Sequence, residues 1–148
     1  MNLEEKVMEQ LKTAMKAKDD AALRSLRAIK AAIIIAKTSE GAGGVIKPED
    51  EIKLIQKLVK QRKDSLEIFT QQNRTELAQK EEEELAILQQ FLPKQLTEAE
   101  IKIAVQPLIT ASNATAADTG KIIGQANKLL AGQAEGAVIA KVVKSLLS

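Results

Sequence analysis

Apolar side chains recur along this chain with a helical period from one end to the other. Leu3, Val7, Leu11 and Met15 are spaced every four residues among charges, which predicts a first helix with one apolar face. Asp19 and Asp20 supply capping oxygens for a second helix, with Leu26, Ile29, Ile33 and Ala36 on one stripe. Ile33, Ile34 and Ile35 in a row would also suit a strand. Their Ala-rich surroundings, with no partner strand in view, predict a helix buried on more than one face. Residues 39–47 hold three of the seven glycines and read as a flexible loop. Pro48 followed by Glu49, Asp50 and Glu51 then opens a long third helix, because proline fits the first turn and acids suit the positive end of the dipole. Ile52, Ile55, Leu58, Val59, Leu66 and Phe69 mark its apolar face, and Asn73 can take the left-handed conformation that ends it. A fourth helix carries Leu77, Leu85, Leu88 and Leu92 as far as Pro93.

Residues 93–96 form the clearest boundary. Thr97 with Glu100 is a capping box that opens a helix through Ile101, Val105 and Ile109. Pro107 falls inside that pattern and should kink or shorten it. Thr115 with Asp118 opens the next helix, through Ile122, Ile123, Leu129 and Leu130 to Gly132. A last helix carries Val138, Ile139, Val142, Val143, Leu146 and Leu147. The expected fold is all-α: an N-terminal unit of about four helices over residues 1–95, and a three-helix tail over residues 96–148.

Composition narrows the chemistry. Phe69 and Phe91 are the only aromatic residues among 148, so platforms for stacking bases or sugars are scarce. With no Cys and no His, disulfides and thiolate metal sites are impossible, and the commonest general base is missing. No metal or cofactor is expected. The alternation of apolar and charged residues near the N-terminus does not resemble a signal peptide. The longest uninterrupted apolar run, residues 31–36, is far short of a bilayer span. A cytoplasmic location without membrane contact is therefore expected. The net charge of +2 is uneven. Residues 1–100 carry 17 basic and 18 acidic side chains, whereas residues 101–148 carry Lys102, Lys121, Lys128, Lys141 and Lys144 against Asp118 and Glu135. A small, lysine-rich unit with little acid points modestly toward a polyanion, against the plainer alternative of an ordinary solvated surface.

Gly120-Lys121 is not a P-loop, since Thr115 stands where that loop needs glycine and Ile122 where it needs Ser or Thr. Gly120 and Gly124 share a helix face, at a cost of up to about 1 kcal/mol per position relative to Ala. Close helix packing is the favoured explanation; close approach of a ligand, with Lys121 and Lys128 alongside, is the other. The acids at 81–84 and the charges at 62–64 read as solvated helix surface, with a cation or basic partner, and a basic contact site, as the respective alternatives. Four adjacent helical residues point in different directions and cannot all meet one ion. No nucleophile and base are paired, so no catalytic residue is assigned.

KQRKDSLEIF at residues 60–69, Asn73-Arg74 before Leu77, Glu84-Leu85, Ile87-Leu88 and Phe91-Leu92-Pro93 resemble the YqeY family. The likeness continues through Asp118, Gly120-Lys121 and Gly124 to Gly132, Gly136 and residues 142–147. Thr119 departs from it, since relatives often carry an apolar residue there, typically Met. This small bacterial family is related to the tail of the GatB subunit of the glutamine-dependent tRNA amidotransferase. The resemblance implies a helical N-terminal part followed by a three-helix tail. In the amidotransferase the similar tail helps hold tRNA while other parts do the chemistry. Carried over, tRNA-facing residues would be Gly120, Lys121, Gly124, Lys128, Lys141 and Lys144. The resemblance also brings an association with carbon–nitrogen ligation using glutamine as amide donor, but neither an ammonia-generating serine site nor an ATP site is found in these residues. Three functions follow as expectations: a tRNA-binding accessory protein without catalysis of its own; an interaction module docking a larger tRNA-modifying or amidotransferase enzyme; and an amidotransferase component acting only in complex.

Overall fold

The computed structural model describes every residue except Glu40 and Ala42. Among the described residues there are seven α-helices and no strand: α1 Leu3–Ala17, α2 Asp20–Thr38, α3 Pro48–Gln71, α4 Thr75–Gln89, α5 Glu98–Ser112, α6 Thr119–Leu129 and α7 Gly136–Leu147, with one 3₁₀ turn, Ala116–Asp118, before α6. The chain divides into two compact units, Met1–Leu92 and Pro93–Ser148.

In the N-terminal unit the caps follow the chemistry of the sequence. Asn2 Oδ1 accepts the Glu5 N–H at 2.9 Å while the Glu5 carboxylate accepts the Asn2 N–H at 3.1 Å, closing a capping box on α1. Asp19 Oδ1 accepts the Ala22 N–H at 3.1 Å and starts α2. Asn73, at φ 58°, is the left-handed residue after α3. Helices α1 and α4 pack on α2, and α3 packs chiefly on α4. The core joins Leu3, Val7, Leu11 and Ala14 of α1 with Leu26, Ile29 and Ile33 of α2, Ile55 and Val59 of α3, and Leu88 of α4.

Two expectations fail here. Met15 is 61% exposed and Ala14 takes its place in the core. A spacing of four drifts by about 40° per step around a helix of 3.6 residues per turn, so the fourth member of the series has rotated out. Ile33 is 2% exposed, but Ile34 and Ile35 are 53% and 70% exposed. Helix α2 buries one stripe and leaves the adjacent face open. The loop expected at 39–47 is free of helix at its described residues; at Glu40 and Ala42 that expectation lies outside them.

In the C-terminal unit Thr97 Oγ1 accepts the Glu100 N–H at 3.2 Å and the Glu100 carboxylate accepts the Thr97 N–H at 3.1 Å, so α5 opens on the expected box. These bonds favour the ionised carboxylate and hold the Glu100 pKa below its ordinary value; the Thr97 N–H contributes most. The expected shortening at Pro107 does not occur, since α5 runs on to Ser112. Pro107 and Ile103 are both exposed, so the Ile103 carbonyl deprived of its partner N–H is on the side facing water. Ile101 and Val105 of α5, Ile122 and Ala126 of α6, and Ile139, Val142 and Val143 of α7 form a second core with Leu130 and Ala134. Gly132, at φ 78°, turns the chain after α6. Its carbonyl accepts a 2.7 Å bond from the Gln95 amide, while the Gln133 carbonyl accepts the Leu96 N–H at 2.9 Å.

Candidate nucleic-acid interface

The register of α6 is set by the turn before it. The Asp118 carboxylate accepts the Thr115 N–H at 3.0 Å, the Thr115 carbonyl accepts the Asp118 N–H at 2.8 Å, and the Thr119 hydroxyl donates to the Ala116 carbonyl at 2.6 Å. The pair read in the sequence as a helix start thus closes a 3₁₀ turn, and α6 begins one residue beyond it. From that start Ile122 and Ala126 point into the core, each with no exposure. At 100° per residue, Gly120, Lys121, Gly124 and Lys128 fall on the opposite side, and all four are exposed.

A Cβ built on Gly120 or Gly124 would meet no atom within 4 Å. No helix of the C-terminal unit occupies the space over either one, so close packing within this unit is not the reason for two glycines in this helix. Lys121 and Lys128 are seven residues apart, about 10 Å along the axis and nearly in line. Neither has an ion-pair partner among the described residues. The result is a bare strip of helix backbone bordered by two uncommitted ammonium groups. Gln125 and Asn127, also exposed on α6, add amides to the margins of the strip. Reasoning on charge alone passed over them, although their places beside Gly124 and Lys128 are visible in the sequence.

The other two lysines assigned to the site are on α7. Lys144 is exposed. Lys141 Nζ lies 3.3 Å from Glu98 Oε1, an exposed pair that links α7 to α5. Lys141 is therefore partly neutralised, and the α6 strip is the arrangement in which glycines and free lysines come together.

The charged stretches of the N-terminal unit turn inward in part. Arg62 Nε lies 3.7 Å from Glu81 Oε2 and 3.5 Å from Glu84 Oε2, and Arg24 Nε lies 3.6 Å from Glu84 Oε1. Glu81 and Glu84 are thus half-buried between α4 and its neighbours, against the expectation of a solvated face. Glu82 and Glu83 are exposed, and Arg24 Nη2 meets Glu83 Oε2 at 3.3 Å. This network joins α2, α3 and α4, and its cations are arginines. Among the described residues no cluster of acids could hold a metal ion, and no helix is long and apolar enough to cross a membrane.

Fold and site together describe a small, all-helical protein whose tail unit presents a basic, glycine-lined helix face. The chain belongs to the Yqey-like protein family, which matches residues 4–147. It is also similar to the "Altered inheritance of mitochondria protein 41, mitochondrial" of Lachancea thermotolerans, with 40% identity over 106 residues. The match covers 68% of this chain, which spans about half, 54%, of that relative's length.

Proposed function

We propose that the protein is a tRNA-binding accessory factor, with α6 of the C-terminal unit as its contact helix and no catalysis of its own. The observation that carries this reading is the bare face at Gly120 and Gly124 beside Lys121 and Lys128. Two helix-weakening glycines with no helix of their own unit packed over them are accounted for by a ligand that comes close to the backbone. The unpaired lysines suit that ligand to a phosphate chain. With two phenylalanines as its entire aromatic content, the protein would rely on phosphate contacts and shape more than on base stacking.

The test is tRNA affinity as a function of salt. Replacing Lys121 and Lys128 together by Ala removes two positive charges and leaves the buried face of α6 intact. Each lost phosphate contact should flatten the slope of log K against log[salt] by roughly 0.7 to 0.9, so the pair should flatten it by about twice that. Lys53→Ala with Lys57→Ala removes the same charge from α3 and serves as the control. If both double variants weaken binding equally, or neither does, α6 is not the contact helix.

A further inference from the structure

We infer that the groove between α2 and α3 receives an acidic amphipathic helix from a partner protein. Helix α2 packs on α1 and α4, and α3 packs on α4, but α2 and α3 meet along little of their length. Between them lies an opening of about 430 Å³. Its apolar lining comes in steps of one helical turn, Ala32 and Ala36 from α2 and Leu54 and Leu58 from α3. Ile35 stands on the rim at 70% exposure. Two walls with sockets at i and i+4 match the ridge of an incoming helix, whose apolar side chains recur at the same spacing.

Charge selects the partner. Lys53 and Lys57, one turn apart on the α3 wall, are exposed and have no ion-pair partner among the described residues; Asp50 is the acid in the lining. A helix with Asp or Glu along the edge that faces α3 would meet both lysines, while its apolar ridge lies against the uncharged α2 wall. A second copy of this chain is a poor fit, because its most acidic helix, α4, already commits Glu81, Glu83 and Glu84 to Arg62 and Arg24. Nucleic acid has no apolar ridge for the leucines to cover. The groove belongs to the N-terminal unit, so this inference is independent of the tRNA reading.

The experiment pans the full chain against a displayed library of short helical peptides and titrates the recovered peptides in solution. Recovered sequences should carry apolar residues at i, i+4 and i+7 with Asp or Glu beside them. Ile35→Glu should weaken their binding about tenfold or more, and Lys53→Glu with Lys57→Glu should do the same until the peptide's acids are exchanged for lysine. Both changes lie at exposed positions, so an unchanged melting curve should accompany the loss. Three outcomes overturn the inference. One is peptides without acidic bias or indifferent to Ile35→Glu. Another is a dimer in sedimentation that Ile35→Glu dissolves, which makes a second copy the occupant. The third is displacement of bound peptide by tRNA.

Discussion

The Nε of Arg62 and the Oε2 of Glu81 lie 3.7 Å apart, both withdrawn from water, and among the described residues neither has a hydrogen-bond partner. Their charges offset one another, yet each atom has given up hydration without gaining a bond. For Glu81 burial outweighs the attraction of Arg62, and the nearby Glu84 adds repulsion, so its pKa is raised above the ordinary 4.5.

The sign of the pH effect follows. A carboxyl whose pKa is higher in the folded than in the unfolded chain contributes stability that is fully present below 4.5 and is lost as pH rises through the folded value. Glu81→Gln should therefore flatten the fall in stability between about pH 4.5 and 7, and the variant should be no less stable than the parent at neutral pH. Urea unfolding of both proteins at the two pH values decides it. A variant that loses stability only at pH 7 would show instead that the ionised pair is a net gain.

At Gly120 and Gly124 fold and function should respond in opposite directions. Alanine in a helix interior, as at Gly124, is more stable than glycine by about 0.5–1 kcal/mol; Gly120 lies in the first turn of α6 and gains less, and at both positions the added methyl group meets nothing within 4 Å. The double change to Ala should raise the melting temperature of the C-terminal unit and, on the proposed tRNA reading, weaken tRNA binding. A higher melting temperature with unaltered tRNA affinity would mean that no ligand approaches this face.

Thr97 closes the box that starts α5. Thr97→Ala should cost about 1 kcal/mol, measured as a lower denaturation midpoint with an unchanged m-value. Thr97→Ser, which keeps the hydroxyl, should restore most of the loss.

Ile122 is fully buried in the second core, where truncation leaves a hole that Ala126 and Val143 cannot fill without moving. Ile122→Ala should destabilise the C-terminal unit by about 2–5 kcal/mol. Hydrogen exchange read residue by residue should show the loss in α5–α7 and leave the amides around Ile29, in the other core, protected as before.

Much of this architecture was legible in the sequence, because helix period, caps and left-handed residues are local signals. Thr97 with Glu100, Asp19, Asn73 and the buried series Leu26, Ile29 and Ile33 all stand where the pattern put them. The misreadings arose where a local signal had to be given a direction. Met15 and Ile35 are as apolar as their neighbours, and only the placement of other helices decides which is covered. Glu81 and Glu84 look like Glu82 and Glu83 until Arg62 is seen across from two of them. For the candidate site, the sequence shows that Gly120 and Gly124 lack a Cβ but not what fills its place. That required knowing what stands over α6.

The two hydrophobic clusters have no residue in common. Each must therefore be repacked from within: a change at Val105 asks for repair at Ile122 or Val143, not at Ile29. A segment that carries only α5–α7 brings one core along with it.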